Sequence, residues 1–531
     1  MVNVVLTLRP PSPVLNTDLV PGLPLPDELF AIQSAQQIIN LADQIERHQF
    51  PIFGATIDAA GEIQWRRDYQ RGIETGLRYF RLIPYLDAAR AGDHKVIWEL
   101  NRHQHLIVLA QAHLATGETR YLDEIRAQLE SWIAGNPFHR GINWASALEV
   151  AFRALSWIWV YQMAGWKLDR AFRVRWLHTL YLHGCHLANN LSFYFSPNNH
   201  LVGEALALHA LGRFFAGTSC AGRWEHVGAR VMEEQMERQI RADGSSFEQS
   251  TYYQVYLYDM FRLHAAWGRP GAEYLWKLER MADFLNTIAG QSGCVPVLGD
   301  DDGGRLTFGH RFRTVNPESR LFPDAGLAVM ACDDVHAIVD VGSFGALNAG
   351  HSHSDTLSII VRWGADEILI DPGTYTYTGD PEWRDWFRSS AAHNTIRIDG
   401  RDQGIMDGPF RWKTKPSVRI LTWKTNSESD VLEAECSYAG FTHQRRVEFQ
   451  KPHSFLIHDC IEGSPGEHDI EQFWHLGSLQ AQRKLIPPKG AELEQSWRST
   501  TFGCKHPAPM LRIHRHCRLP LRLETRIDLS N

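Results

Sequence analysis

The sequence predicts a multidomain chain of α and β class, with an N-terminal (incomplete) α/α toroid followed by a C-terminal antiparallel β-sandwich. Three observations predict this. At 531 residues the chain exceeds what one hydrophobic core normally serves. Helical periodicity persists from about residue 93 to about 290. From about 320 it gives way to short β-branched runs closed by Gly, Pro, Asn or Asp. The expected divisions are 1–50 for an extended arm and first helix, 51–315 for the toroid, and 316–531 for the sandwich.

The arm is read from Pro10, Pro11, Pro13, Pro21, Pro24 and Pro26, which exclude regular helix. Ile63–Asp68 is expected as a short strand or turn. Helices are predicted over about 93–116, 120–134, 144–164, 169–190, 198–214, 221–241, 252–267 and 271–290, each bounded by Gly, Pro, Asn or Asp. They are apolar on more than one face. Val150, Leu155, Trp157, Ile158 and Val160 fall on one such segment, and a double layer of paired helices buries that much surface. No repeat is legible, so the toroid rests on helices in series. The sandwich rests on runs such as TLSIIVRWG, ADEILIDPG, VLEAECSYAG and QRRVEFQKP. Asp300-Asp301-Asp302-Gly303-Gly304 lacks the later Glu of a calcium loop and is expected as a solvated or domain-bridging turn.

Composition excludes several classes. Lys plus Arg number 54 against 61 for Asp plus Glu, a net charge of −7, which is no general footprint for nucleic acid. An acidic polymer would need a locally basic cleft. The 26 His and 18 Trp suit sugar binding, though Trp also simply fills cores. Eight cysteines without a CxxC pair indicate neither a thiolate zinc site nor a disulfide framework, and most are expected as buried thiols. No run of about 18 apolar residues suggests a membrane span. The N-terminus has no basic segment leading into an apolar one, so the cytoplasm is the default localisation, or the periplasm if a leader has been removed.

Three constellations can carry chemistry. Asn198-Asn199-His200 opens a predicted helix, where Asn is a preferred cap but where backbone N–H groups also favour an anion. Asp243–Tyr253 reads as a helix-to-helix loop with two core tyrosines, or as a loop presenting one tyrosine for proton transfer. An unperturbed Tyr titrates near pH ~10, so the second reading needs neighbouring charge. In His351-Ser352-His353-Ser354-Asp355, an extended chain would put His351, His353 and Asp355 on one face. His353, Asp371 and His393 together supply two nitrogens and one oxygen, a set suited to zinc and poor for calcium.

With these residues assembled, nearly all of the chain resembles the heparinase II/III-like family of polysaccharide lyases. The helical part resembles it in IQWRRDY, NPFHRGINWASALEVAFRALSW, NNHLVGEALAL and DGSSFEQSTYY; the β part does so in GHSHSDTLSIIVRWG, ILIDPGTYTY and WRDWFRSSAAHNTIRIDG. The resemblance implies β-elimination at a uronic acid of an acidic polysaccharide. Asn199 and His200 match residues that neutralise the uronate carboxylate. Tyr253 matches the tyrosine that protonates the leaving oxygen, chosen over Tyr252 by its spacing from Glu248, and His351 matches the histidine that serves as base. His353, Asp371 and His393 match ligands of a divalent metal, expected as structural Zn2+, with Asp355 behind them.

Arg153, Trp144, His105 and Glu204 are candidates to bind substrate in a cleft for acidic sugars, as is Arg102. The alternative for Arg153 is an ion pair with Glu149 at i, i+4, and for Trp144 plain packing. A second enzymatic reading, hydrolysis on the toroid, needs paired carboxylates, for which Glu204 and Glu248 are the candidates. A third is a non-catalytic glycan-binding or exopolysaccharide assembly protein. Partners are thus an acidic polysaccharide or oligosaccharide, with no nucleic acid and no membrane span; an oligomer is compatible with the sequence. Residues 475–520 match nothing recognisable.

Overall fold

The computed structural model describes residues 23, 25, 34–59, 61–194, 196–306, 312 and 318–530. The expected Pro-rich arm lies outside the described residues, apart from Leu23 and Leu25. The chain divides into two compact units. The first comprises Met1–Met236, Asp259–Gly271 and Gly304–Gly309; the second comprises Glu237–Tyr258, Ala272–Gly303 and His310–Asn531.

The first unit is helical. Ser34 opens α1 (Ala35–Glu46) with a capping box closed by Gln37. After the short strands Gln49–Ile52 and Ala55–Asp58 come α2 (Ala88–Ala91), α3 (His94–Asn101), α4 (Gln104–Thr116), α5 (Arg120–Gly135), α6 (Ala147–Met163), α7 (Arg170–Asn190), α8 (Asn199–Phe214) and α9 (Ala221–Gln239). Helix α4 packs on α1, α5 and α6, and α6 packs on α7 and α8. All of α6 from Leu148 to Tyr161 is buried, as its apolar surface on every face requires. Helices α8 and α9 meet backbone to backbone. A Cβ at Gly228 would stand 2.4 Å from the His209 nitrogen, and one at Gly212 would stand 2.3 Å from the Glu225 nitrogen. Glycine at these crossings is therefore a packing requirement. Of the last long helices, α10 (Thr251–Trp267) is divided between the two units and α11 (Ala272–Ala289) belongs to the second.

The second unit is built mainly from three antiparallel sheets. Arg320–Phe322, Leu327–Cys332, Val335–Asp340, Ile359–Trp363 and Asp366–Leu369 form a five-stranded meander. Ser417–Thr425, Ser429–Tyr438, Phe441–Gln450 and Ser454–Glu462 continue in order into a six-stranded sheet completed by Leu521–Asp528 and Leu485–Ile486. Ile396–Ile398, Glu467–His475, Cys504–Arg518 and Ala491–Thr501 make a four-stranded one, so the unrecognised 475–520 stretch is largely a long hairpin. Side chains alternate buried and half-buried along Ser429–Tyr438, the period of a sheet with one face on a core. Val339, Val361, Ile396, Leu432, Phe449, Trp474 and Ile513 share one apolar core drawn from all three sheets.

A buried polar cluster crosses that core. Arg445 donates to Asp459 at 2.7 and 3.1 Å and to the carbonyls of Leu357 and Asn394 at 2.6 Å; His443 and Gln472 also bond the same carboxylate. Asn394 donates in turn to Ile359 and Ile370 carbonyls, so the loop carrying His393 is held from several strands. The cysteines are all unpaired, as expected, but Cys436 alone is fully buried; the others are half-buried, or exposed at Cys294.

Candidate active site and metal cluster

The main candidate site lies within the second unit. Residues 351–355 are loop rather than strand, so the alternation expected of an extended chain does not apply. What brings His351 and His353 to one place is a shared partner, Asp300. His351 Nδ1 lies 3.1 Å from Asp300 Oδ2, and His353 Nε2 lies 2.9 Å from Asp300 Oδ1. Arg384 donates to both oxygens of that carboxylate, through NH2 at 2.8 Å. Helix α12 (Pro381–Arg388) presents this arginine; Asp380 caps it and Pro381 begins it. Asp300 is fully buried, so of the two alternatives for this turn the solvated one is overturned, while the division between the units does fall after Gly303. Burial raises the cost of its charge, but Arg384 and the two histidines hold the carboxyl well below the usual range.

Tyr253, near the start of α10, stacks on His351 with ring centroids 3.8 Å apart and planes at 25°. Its hydroxyl is 3.0 Å from Asp302 Oδ2 and 3.0 Å from the Tyr377 hydroxyl. Burial, reinforced by the Asp302 charge, pushes this phenol well above its ordinary range, so it keeps its proton at neutral pH. Tyr252 packs edge-on against Tyr253. The remaining nitrogen of His351, Nε2, is 3.4 Å from Glu248 Oε2.

Behind His351 lies a cluster with metal-ligand chemistry. One ligand atom each from His353, Asp355 and His393 lies within 4.8 Å of the others, and all three residues are buried. Among the described residues, His353 Nδ1 and His393 Nε2 are buried without a hydrogen-bond partner. Two such nitrogens beside a carboxylate fit a borderline cation such as Zn2+. Asp371 Oδ2 sits 2.9 Å from His393 Nδ1, adjoining the cluster through that ring.

In the first unit, Asn198 is the N-cap of α8: its side chain accepts from the His200 backbone N–H at 3.2 Å. That leaves Asn199 and His200 in the first turn, Asn199 buried and His200 half-buried. Nearby, Arg102 binds Glu149 in a fork at 2.7 and 2.9 Å and reaches Glu99 at 3.1 Å. Burial opposes the charge of Glu149, but Arg102 holds its pKa down, with Lys95 and His200 adding to the effect.

The expected cleft residues are corrected by burial. Arg153 is fully buried and pairs not with Glu149 but with His183 Nε2 at 2.9 Å and the carbonyls of Asn101 and Asn143, its guanidinium lying 4.4 Å from the Trp132 ring centre. Trp144 is also fully buried, its indole N–H on the Asn136 carbonyl. His105 is half-buried, packed against Phe50 and bonded to Gln128 at 2.8 Å. Glu204 is buried where Ser192 donates to it through both backbone and hydroxyl, and burial drives its carboxyl up to about 8. Trp144, Arg153 and Glu204 therefore offer no surface to a sugar, and Glu204 cannot flank a scissile bond.

Sequence reasoning missed Asp300, Asp302, Tyr377 and Arg384. Tyr377 and Arg384 lay inside the family strings ILIDPGTYTY and WRDWFRSSAAHNTIRIDG without a role, and the acidic run at 300–302 stood beside glycines, but nothing local marks a buried carboxylate whose partners lie more than fifty positions away.

Two family models match the chain: "Heparinase II/III N-terminus" over residues 29–326 and "Heparinase II/III-like, C-terminal" over residues 314–514. A heparin-sulfate lyase of Pedobacter heparinus is 24% identical over 414 residues, covering 70% of this chain and 61% of that protein. One of Bacteroides stercoris is 22% identical over 471 residues, covering 77% of this chain and 66% of its own length. The match thus spans less than two thirds of these relatives. Among solved structures, a heparinase III superposes with a TM-score of 0.72 at 16% identity, covering 97% of this chain and 88% of that one. A heparan sulfate lyase mutant from Pedobacter heparinus gives 0.59 at 19% identity, covering 95% and 84%. The fold is the toroid plus antiparallel β domain expected from the sequence, and the chain belongs to the heparinase II/III-like family.

Proposed function

We propose that this protein is a polysaccharide lyase that cleaves a uronate-containing glycosaminoglycan by β-elimination. The observation that carries the reading is the stacked pair of Tyr253 and His351, two proton-transfer groups face to face, the tyrosine holding its proton. In the reaction a base takes the C5 proton, the C5–H electrons form the C4=C5 double bond, and the C4–O bond breaks toward the leaving sugar. That oxygen must gain a proton. Tyr253 is suited to supply it, because burial keeps the phenol neutral until the alkoxide develops. His351 takes the C5 proton at Nε2, since Nδ1 is committed to Asp300. Asn199 and His200 take the uronate carboxylate, whose extra charge in the transition state is the main barrier. The heparin-sulfate activity named for the relatives supports a heparan-type substrate, ahead of alginate.

A divalent cation, with Zn2+ favoured, is proposed at His353 and His393 with a carboxylate of their cluster. The 4.8 Å grouping favours Asp355 over Asp371 for that oxygen. When bound, it would cross-link the His351–Asp355 loop to the His393 segment and act structurally.

The test follows ultraviolet absorbance of unsaturated uronates across heparan-type, chondroitin-type and alginate polymers. Absorbance with heparan-type chains is expected. New reducing ends without absorbance would establish hydrolysis, and neither signal across the panel would leave a binding protein.

A further inference from the structure

We infer that Asp300 is a positioning residue that fixes the proton on both His351 and His353, making one carboxylate responsible for the proton-accepting nitrogen of the site and for a ligand nitrogen of the metal cluster. The inference rests on the lyase reading for His351 but not for His353.

Both carboxylate oxygens of Asp300 already receive Arg384, so each can only accept from the histidines. A ring nitrogen facing an acceptor must carry hydrogen. Two carboxylates flank His351, Asp300 Oδ2 at 3.1 Å from Nδ1 and Glu248 Oε2 at the longer distance of 3.4 Å from Nε2; the closer one holds the proton at Nδ1, which leaves the Nε2 lone pair for chemistry. His353 is protonated at Nε2, which leaves its Nδ1 lone pair buried and, among the described residues, without a hydrogen-bond partner, on a ring that belongs to the cluster. The two histidines thus hold opposite tautomers through one group.

The backbone supports the same arrangement. The Asp300 N–H donates to the His351 carbonyl at 2.9 Å, and Ser250 Oγ donates to the Asp300 carbonyl at 2.7 Å. Gly299, at φ +69°, lets the loops of this junction touch: a Cβ there would stand 2.7 Å from both the His351 and Gln249 carbonyl oxygens. Asp300 is therefore held against His351 by main chain and side chain together.

Asp300→Asn tests this. An amide keeps the shape but turns one acceptor into a donor, so one of the two histidines must move its proton to the other nitrogen. In 15N-histidine spectra of metal-free protein, assigned by difference with His351→Gln and His353→Gln, wild type should show Nδ1–H on His351 and Nε2–H on His353. In the variant one ring should switch. If it is His353, zinc affinity by chelator competition falls about 10–100-fold; if it is His351, kcat per folded molecule falls about 100-fold or more with KM little changed. Asp300→Asn/Arg384→Gln, which leaves no unmatched buried cation, repeats the measurement should the single variant fail to fold. Both rings unswitched, or the wild-type tautomers differing from those stated, overturns the inference. Absence of turnover in the wild type on every polymer would sink the lyase reading alone, and the tautomers and zinc affinity would still decide this one.

Discussion

At the scale of single residues, burial decides which ionisable groups can react. Tyr253 is covered and keeps its proton, so removing that hydroxyl should remove the proton donor without disturbing packing. Tyr253→Phe is expected to lower the rate of absorbance gain by about 100-fold or more while far-UV dichroism and Tm stay near wild type; near-normal turnover would remove Tyr253 from the role. Glu204 makes a different prediction. Its folded pKa of about 8 lies above the ordinary carboxyl value of 4.5, so between those values the folded state binds the extra proton. Stability from this group is present below about 4.5 and is lost as pH rises through about 8. Thermal melts of Glu204→Gln should therefore lose part of the decline in Tm that wild type shows from pH 5 to 8. A wild-type slope retained in full by the variant would show that Glu204 does not carry it.

Among elements, close approach and cross-linking set stability. A methyl at residue 228 would press on main-chain atoms of α8, which cannot rotate away. Gly228→Ala should cost about 1–3 kcal/mol, read as a lower denaturation midpoint. An unchanged midpoint would mean that the helices separate at no cost. The proposed metal would cross-link two loops rather than two helices. His353→Ala should abolish stoichiometric zinc in elemental analysis and lower Tm, and comparison of Asp355→Asn with Asp371→Asn identifies the oxygen ligand. Retained stoichiometric zinc in His353→Ala would refute the ligand set.

Across the whole molecule, each compact unit contains its own charged interior. In the second unit Asp459 and Arg445 join the six-stranded sheet to the four-stranded one through Gln472 and to the His393 loop through the Asn394 carbonyl. Deleting one partner strands the other in a medium that cannot solvate it, so Asp459→Ala should cost about 3–5 kcal/mol in chemical denaturation. Asp459→Leu/Arg445→Met should recover part of that loss; a double variant no better than the single one would contradict the charge argument. No helix among the described residues is long and apolar enough to cross a membrane.

The division between sequence and tertiary structure follows from the range of the forces involved. Periodicity, breakers and caps act within a few residues, so the helical series, the β runs and the Asn198 cap were legible from the chain alone. The motif strings were legible too, and with them the family and the candidates Asn199, His200, Tyr253, His351, His353 and His393. Accessibility is a property of the packed core, and for that reason Arg153 and Trp144 read equally well as sugar contacts and as the buried side chains they are. Partnership across distance was likewise invisible. Arg153 chose His183 over the i, i+4 Glu149, and Asp300 met His351, His353 and Arg384 only because separate loops converge on it. The sequence by itself determined the elements, the family and the candidates for the reactive groups; the tertiary structure alone decided which carboxylate the histidines 351 and 353 meet, because a hydrogen bond depends on separation in space and not along the chain.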